Sequence, residues 1–288
     1  MNLKEIYKKT KKSTVISYEV FPPKNDTVGD KLDKLISELD VLKKFDPSLV
    51  SITYGAGGSN QCQSIEILKR IRNELKLTPM PHFTCVSTSR NHIYEYLNTI
   101  ESLDVKNILA LRGDIPNDGN EYCHDFVHAD ELVDYIKKQS ALSVAVAGYP
   151  EGHIESPTIN EDIKFLKQKV SKGADVIYTQ LFFDNSKYFS FVDLCINADI
   201  TVPIIPGILP VTNFQQMERM VSLCRVSVPA IFWDKLEKHK DDIEYTTKAG
   251  IDFASAQCSQ LIENGVNGLH FYTLNKSFAV NQILTNIL

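Results

Sequence analysis

The stretch Thr14–Val20, TVISYEV, is rich in β-branched and aromatic residues and predicts a β-strand. Leucine and isoleucine at helical spacing follow over Asp30–Lys44, which predicts a helix. This succession of a short apolar run and a longer amphipathic segment repeats along the chain. Seven further runs predict strands: LVSITY at 49–54, HFTCV at 82–86, NILAL at 107–111, SVAVA at 143–147, VIYTQL at 176–181, VPIIP at 202–206 and GLHFY at 268–272.

The order of these elements predicts the fold class. The runs are mostly apolar throughout, which is typical of parallel strands covered by helices on their outer face. Eight strand–helix alternations are the pattern of an α/β (β/α)8 TIM barrel, with an open doubly wound sheet as the alternative. Residues 211–267 look helical with a break at Pro229, so we expect extra helices between strands seven and eight. No linker is visible, and we expect residues 1–288 to form a single catalytic domain.

Composition excludes several classes of protein. The chain has 288 residues, 43% of them hydrophobic and 23% charged, with a net charge of -5, which argues against a nucleic-acid-binding protein. No apolar run reaches the roughly 20 residues that a membrane span needs, and no secretory signal is visible. The six cysteines show no C-x-x-C spacing, so we expect reduced thiols, no metal site and a cytoplasmic protein.

Polar side chains follow several of the predicted strands. Because the active site of a TIM barrel lies at the C-terminal ends of its strands, we expect these side chains to converge on one rim. His82 opens the third run and could line the barrel from that strand. The other candidates are Glu19, Thr53, Tyr54, Arg112, Asp114, Tyr149, His153, Gln180, Tyr272 and Lys276.

Glu19 is the most informative candidate because it lies inside an apolar run. A buried carboxylate is costly unless it is paired, solvated or protonated. Burial favours the protonated form of a carboxyl group, which suits a general acid. The alternative is a structural ion pair with Lys24 or Arg112, and the pattern alone does not decide between the two interpretations.

The remaining candidates have ordinary structural interpretations as well. Asp114 after Gly113 fits a loop turn. Gly55–Ser59 could cradle a phosphate, but a lone glycine-rich turn is weak evidence, and no G-x-G-x-x-G fingerprint occurs. Gln180 could bind the amide edge of a heterocycle or simply its own backbone, and Lys169 could lie on a solvated helix face.

Nine sequence blocks, taken together, resemble the methylenetetrahydrofolate reductases. They cover nearly the whole chain in the order of that family, which makes the resemblance specific although no single block is. The blocks are SYEVFPPK at 17–24, SITYGAGGS at 51–59, PHFTC at 81–85, LALRGD at 109–114, AGYPEGH at 147–153, KGAD at 172–175, TQLFFD at 179–184, IPGILP at 205–210 and HFYTLN at 270–275.

The resemblance implies an oxidoreductase of one-carbon metabolism that holds FAD non-covalently. Hydride would pass from NADH or NADPH to the flavin, and then to 5,10-methylenetetrahydrofolate, giving 5-methyltetrahydrofolate for methionine synthesis. Both substrates would use the same flavin face in turn, so the kinetics would be ping-pong. The implied partners are folate and a nicotinamide dinucleotide, and a homo-oligomer is expected.

The resemblance also implies residue roles. Glu19 would protonate the folate as its five-membered ring opens to an iminium. Asp114 would lie near flavin and pterin and oppose negative charge on the reduced flavin. Gln180, Gln216 and Lys276 match folate contacts, and Thr53 matches a nicotinamide contact. Flavin contacts are matched by Tyr54, Ala56, His82, Arg112, Gly113, Asp114, Ala129, Tyr149, His153, Asp162 and Lys169.

Some positions depart from the family pattern. His128 stands where an aromatic residue is expected, and Met220 replaces a phenylalanine that packs on substrate in some members. Phe165 and Gln168 stand where some members place polar or basic phosphate contacts, so the pyrophosphate contacts are expected to differ. Lys276 stands where arginine is common, and either cation could meet a glutamate carboxylate. The chain ends soon after the eighth strand, so we expect no regulatory domain and no inhibition by S-adenosylmethionine.

Two other functions fit the rim pattern without the resemblance. One is a flavin-free lyase or aldolase that uses a rim carboxylate. The other is an inactive barrel that acts as a binding subunit, although retention of Glu19, Asp114 and Gln180 together disfavours it.

Overall fold

The strands of this computed structural model close into one parallel barrel in sequence order, with the last strand pairing back to the first. The structure describes residues 1–8, 14–23, 29–54, 61–114 and 125–288. The closed parallel barrel of eight strands confirms the predicted TIM-barrel fold. The strands are β1 (Val15–Val20), β2 (Leu49–Ile52), β3 (Pro79–Thr84), β4 (Asn107–Leu111), β5 (Ser143–Gly148), β6 (Val176–Leu181), β7 (Ile204–Ile208) and β8 (Gly268–Tyr272).

Helices alternate with these strands and cover the barrel. The predicted extra helices between β7 and β8 are present, and Pro229 is the N-cap of the second of them. The helices are α1 (Leu3–Lys8), α2 (Asp30–Leu42), α3 (Gln61–Asn73), α4 (Arg90–Ser102), α5 (Ala129–Gln139), α6 (Ile159–Ser171), α7 (Asn185–Asn197), α8 (Phe214–Cys224), α9 (Ala230–Glu237), α10 (Ile243–Glu263) and α11 (Phe278–Ile287).

Local sequence explains where several helices begin. Ser89 caps α4 by accepting a hydrogen bond from the His92 backbone N–H, which satisfies a donor that has no partner within the helix. In the same way, side-chain oxygens cap α6, α7, α8 and α10 from Thr158, Asp184, Asn213 and Asp242. Each helix then buries an apolar stripe against the sheet.

Two strands begin more than one residue away from their predicted first residues. The third was predicted at 82–86, but β3 begins at Pro79, because Pro79–Pro81 pair with β2 before the pairing with β4 starts at His82. The seventh was predicted at 202–206, but β7 continues through Gly207. A Cβ on Gly207 would lie 2.4 Å from the Thr179 carbonyl oxygen, so glycine here allows close packing and does not mark a turn.

Helix α1 was not predicted, and it fills the N-terminal end of the barrel. Leu3, Ile6 and Tyr7 are buried in one cluster with the first inward-facing residues of several strands. The Leu3 N–H donates to Asn107 Oδ1 at 2.8 Å, which ties the start of the helix to β4. So short a helix is stabilised by tertiary packing, which local sequence patterns do not reveal.

We expect Asn107→Ala to destabilise the protein, because Asn107 is fully buried and its removal leaves the Leu3 N–H without its acceptor. The expected loss is about 1–3 kcal/mol in the free energy of unfolding, measured by urea denaturation. The exposed Asn98→Ala on α4 is the matched control and should change stability by less than about 0.5 kcal/mol. Equal stability of the two variants would contradict the anchoring role of Asn107.

Candidate active site

A cavity of about 470 Å³ opens at the C-terminal ends of the strands. This is the end at which a TIM barrel carries its active site. Ten of the predicted site residues line it together: Glu19, Thr53, Tyr54, His82, Arg112, Gly113, Asp114, Tyr149, His153 and Gln180. We call this space the central cavity.

Glu19 lies in the central cavity and is 8% exposed. Its Oε2 is 3.6 Å from His82 Nε2 and 3.9 Å from His270 Nε2. Burial lowers the pKa of His82 to about 4, so this imidazole is neutral at neutral pH and supplies no full charge to the carboxyl group. The immediate surroundings of Glu19 are therefore two imidazoles in a buried environment.

The predicted structural ion pair between Glu19 and Arg112 is wrong. Arg112 binds Glu155 instead through both terminal nitrogens, with Nη2 donating to Oε1 at 2.7 Å. This hydrogen-bonded pairing raises the pKa of Arg112 above its ordinary value. The other predicted partner, Lys24, lies outside the described residues.

Asp114 is exposed and lines the central cavity. The preceding Gly113 has a φ of 86°, and a Cβ there would lie 2.9 Å from Thr84 Cβ. Both the left-handed backbone and the close approach require glycine at this position. The Arg-Gly-Asp turn is thus fixed by sterics, and its carboxylate lies at the mouth of the cavity.

A second space, the side groove, adjoins the central cavity and has a volume of about 350 Å³. Arg112, Tyr149 and His153 line both spaces, so they form the boundary between them. The predicted residues Ala129, Asp162 and Lys169 lie in the side groove, as do the departures His128, Phe165 and Gln168.

The charged groups of the side groove are partly desolvated. Burial raises the pKa of Asp162, whose Oδ1 accepts a hydrogen bond from Ser156. Burial lowers the pKa of Lys169, whose Nζ donates to the Ala147 carbonyl at 2.9 Å. Lys169 is therefore held by the end of β5, so its alternative placement on a fully solvated helix face is wrong.

Gln180 lines the central cavity from the end of β6. Its Oε1 accepts a hydrogen bond from the Leu181 N–H at 2.9 Å, beside a register shift between β6 and β7. Gln180 thus bonds the backbone through Oε1, which is the structural interpretation. It also lies at the cavity wall, which is the position expected of a site residue.

The predicted folate contacts Gln216 and Lys276 do not line the central cavity. They line a third space of about 1060 Å³, the rim pocket, between α8, α10 and α11. Gln216, Met220 and Cys224 are spaced four residues apart on α8 and so share a face. Met220 and Cys224 line the central cavity, so this face runs from the rim pocket into it.

Tyr54 is nearly buried and packs on Phe83, with ring centroids 5.0 Å apart. Thr53 is joined to β1 by a bond from its N–H to the Val20 carbonyl. The predicted contact Ala56, and with it the turn at 55–59, lies outside the described residues.

Sequence reasoning assigned no individual role to His270, Cys224 or Ser17, which line or lie just below the central cavity. Alternation along the strands was the available signal for two of them. Ser17 and Glu19 share the inner face of β1, and His270 and Tyr272 share that of β8. Across the described ranges, no group of three or more metal-ligating side chains is found, and no helix there is long and apolar enough to span a membrane.

Residues 3–288 match the family model described as Methylenetetrahydrofolate reductase. The chain is 37% identical over 267 residues to the 5,10-methylenetetrahydrofolate reductase of Buchnera aphidicola subsp. Schizaphis graminum, covering 93% of this chain and 89% of that protein. It is 34% identical over 262 residues to the enzyme of that name from Escherichia coli, covering 91% and 86%.

A longer relative and a solved structure extend the comparison. Methylenetetrahydrofolate reductase (NADH) 1 of Arabidopsis thaliana is 36% identical, and the match covers 95% of this chain and 48% of that protein. The chain thus spans about half the length of this plant relative. An uncharacterized protein from Clostridium thermocellum that binds two copies of 5-methyl-5,6,7,8-tetrahydrofolic acid aligns with a TM-score of 0.68 over 99% of this chain and 97% of that one. At 14% identity this likeness shows the fold alone.

The buried, neutral His82 predicts a pH dependence of stability. Its folded-state pKa of about 4 lies below the ordinary 6.5, so the unfolded chain binds this proton more readily between those values. The stability that depends on neutral His82 is present above pH 6.5 and is lost as the pH falls towards 4. Between pH 7 and pH 5 the free energy of unfolding should fall further in the native protein than in His82→Gln. The expected difference is about 2 kcal/mol, measured by urea denaturation at the two pH values.

The control for this comparison is His239→Gln, which replaces an exposed histidine. That variant should retain the full pH dependence of the native protein. An identical pH dependence in His82→Gln and the native protein would show that folding does not lower the pKa of His82.

Proposed function

The chain belongs to the methylenetetrahydrofolate reductase family, and on this premise we propose that it reduces 5,10-methylenetetrahydrofolate to 5-methyltetrahydrofolate with NADH or NADPH. The observation that carries the proposal is the position of Glu19 in the central cavity, nearly buried and without a lysine or arginine partner among the described residues. We propose that residues 1–288 act as one catalytic unit in this reaction.

Glu19 acts as the proton donor in the proposed reaction. Its carboxyl group lines the central cavity, so a proton carried by it can pass to a basic nitrogen of a substrate bound there. The nitrogen that leaves as the five-membered folate ring opens takes that proton. Ring opening yields the substrate iminium, which is the form that accepts hydride.

The side groove suits the FAD that the family implies. Its donor set combines the guanidinium of Arg112, the ammonium of Lys169 and the imidazole of His153 beside the first turn of α5. Cations and helix N-terminal N–H groups are the donors that hold a diphosphate. When bound, FAD would take hydride from the nicotinamide and give it to the folate, which supports ping-pong kinetics.

Glu155 forms an ion pair with Arg112 at the side groove and so weakens its attraction for a diphosphate. Because Glu155 already neutralises the guanidinium, a diphosphate at Arg112 must compete with a carboxylate. The Nζ of Lys169 bonds a neutral carbonyl and forms no ion pair among the described residues, although the charges of Asp162 and Asp130 act on it. We propose Lys169 as the main cationic contact for the diphosphate, and Arg112 as the residue at the boundary with the central cavity.

Asp114 supplies negative charge at the mouth of the central cavity. A carboxylate near the reduced flavin disfavours the accumulated negative charge and so favours departure of hydride towards the folate. The left-handed backbone of Gly113 forms the turn that carries this carboxylate. Thr53 and Tyr54, which follow β2 and line the central cavity, are proposed contacts for the nicotinamide and the flavin.

Gln180 and the rim pocket are proposed to hold the folate. The Gln180 amide on the cavity wall suits the amide edge of a pterin. The rim pocket carries Lys276, whose ammonium suits the carboxylates of the glutamate tail. Support comes from the Clostridium thermocellum neighbour, which binds two copies of a methyltetrahydrofolate.

The experiment that tests the function separates the two half-reactions. Purified protein reconstituted with FAD should bleach anaerobically with NADH or NADPH and recover its colour with 5,10-methylenetetrahydrofolate. In Glu19→Gln we expect the bleaching rate to be kept and the recovery rate to fall by about 10²–10⁴-fold, because the amide cannot donate the required proton. Protein that neither binds FAD nor bleaches would refute the proposed function.

The control for this variant is Glu66→Gln on the exposed face of α3, which should keep both rates. Equal loss of both half-reactions in Glu19→Gln would contradict the acid role and indicate a general disruption of the cavity.

We expect Asp114→Asn to slow recovery by folate more than bleaching by the nicotinamide. The reason is electrostatic, since the variant removes the charge that promotes hydride departure from the reduced flavin. The expected loss in the folate half-reaction is on the order of tenfold to hundredfold, measured by anaerobic stopped flow. The surface variant Asp193→Asn is the control. An unchanged rate of recovery by folate in Asp114→Asn would contradict the electrostatic role of Asp114.

A further inference from the structure

The turn that follows β8 connects two of the three spaces at the C-terminal face. We call its residues, 273–276, the β8 turn. Leu274 lines the central cavity, and Lys276 lines the rim pocket. The ladder between β1 and β8 ends with the pair Glu19 and Tyr272. Beyond that pair, side-chain hydrogen bonds hold the β8 turn, so the position of Lys276 relative to Glu19 depends on them.

Asn275 binds the segment that follows β1. Its Oδ1 accepts a hydrogen bond from the Phe21 N–H at 2.8 Å, and its Nδ2 donates to the Phe21 carbonyl at 2.8 Å. One side chain thus pairs both backbone groups of Phe21, as a residue of a neighbouring strand would. Thr273 makes the preceding link, because its Oγ1 donates to the Glu19 carbonyl at 2.7 Å. The contact with β1 therefore extends two residues past the ladder.

The backbone of the β8 turn has a conformation that needs such support. Leu274 and Asn275 have φ values of 49° and 59°, in the left-handed region that residues other than glycine adopt rarely. Two such residues in succession persist only where the surrounding contacts hold them in place. The paired bonds between Asn275 and Phe21 are contacts of this kind.

A second anchor lies on the other side of Lys276. Glu38 on α2 accepts two hydrogen bonds at its Oε2, from the Ser277 N–H at 2.7 Å and from Ser277 Oγ at 2.6 Å. Ser277 is the N-cap of α11, where backbone N–H groups lack partners within the helix. The backbone of Lys276 is therefore held through the residue before it and the residue after it.

Glu19 does not depend on these two anchors. It lies within the barrel ladder, with Ser51 of β2 and Tyr272 of β8 as its register partners. Lys276 is exposed and lies beyond the ladder. Loss of an anchor would therefore let the ammonium of Lys276 move, while the carboxyl group of Glu19 would stay in place.

We propose that Asn275 and Glu38 are positioning residues for the folate. They hold the backbone on either side of Lys276, so that its ammonium meets the glutamate carboxylate while the pterin lies beside Glu19. This inference rests on the proposed function, since it needs the folate ring in the central cavity and the tail in the rim pocket. Neither residue touches the folate, and both act through Lys276. A fixed position of this cation lowers the ordering cost of binding a ligand that spans both spaces.

The test compares the affinities of FAD-reconstituted protein for tetrahydrofolate and for tetrahydropteroate, which lacks the glutamate. Neither probe carries the one-carbon unit, so anaerobic titration calorimetry measures binding without turnover. We expect the native protein to bind tetrahydrofolate about tenfold more tightly, the effect of one charge-assisted hydrogen bond. In Asn275→Gly and in Glu38→Ala, the affinity for tetrahydrofolate should fall about fivefold to tenfold, and that for tetrahydropteroate should change less than about twofold.

Each variant has a matched control. Lys76→Gly also replaces a left-handed residue, with a φ of 58°, but Lys76 lies between α3 and β3, before the start of a strand and away from the C-terminal face. It should bind both probes as the native protein does. Glu38→Gln keeps an acceptor oxygen for Ser277 and should retain the native affinities. A role that depends on the charge of Glu38 would instead give Glu38→Gln and Glu38→Ala the same affinities.

The outcomes separate this inference from the proposed function. An unchanged affinity for tetrahydrofolate in folded Asn275→Gly or Glu38→Ala overturns the positioning role of that residue and leaves the folate site standing. An equal loss for both probes also overturns it, since the residue would then support the central cavity and not the position of Lys276. Native protein that binds the two probes equally overturns the inference for both residues. Native protein that binds neither probe would refute the proposed folate site itself, and the inference with it.

Discussion

The parallel pairing of β1 with β8 closes the barrel, and the candidate site depends on this closure. The pairing sets Glu19 beside Tyr272 and Ser17 beside His270, residues that are some 250 positions apart in the chain. Without it, β1 and β8 would be the two edges of an open sheet, and the carboxyl group would face neither imidazole. The loop-closure cost of joining the chain ends is met by burial of the apolar outer faces of both strands.

The side chains inside the barrel change from apolar to polar along its axis. Its N-terminal end is filled by α1 and by apolar residues such as Leu49, Met80 and Val176. Polar groups follow above this layer and are hydrogen-bonded to one another, as buried polar groups must be. Of the five buried side-chain atoms that lack a hydrogen-bond partner among the described residues, two lie on barrel strands, Ser51 Oγ and His82 Nε2. Both lie on strands that neighbour Glu19 in the barrel: Ser51 is paired with Glu19, and His82 Nε2 is 3.6 Å from Glu19 Oε2.

Each of the three spaces at the C-terminal face has a different part in the proposed function. The central cavity holds the acid, the side groove offers cations and a helix N-terminus, and the rim pocket presents Lys276. Arg112 connects the first two spaces, and its ion pair with Glu155 makes their boundary polar but nearly neutral. The departures Phe165 and Gln168 lie in the side groove, whereas the departure Met220 lines the central cavity, which also holds Glu19.

The sequence by itself determined the eight strands, the covering helices and the family, because hydrophobic periodicity and short motifs are local properties of a chain. It also singled out Glu19, since a carboxylate inside an apolar run is conspicuous without any structure. Only the tertiary structure decided that His82 and His270, and not Arg112, surround Glu19. It also decided that β7 continues through Gly207. These outcomes depend on strand register and barrel closure, which set distances between residues far apart in sequence and leave no local signal.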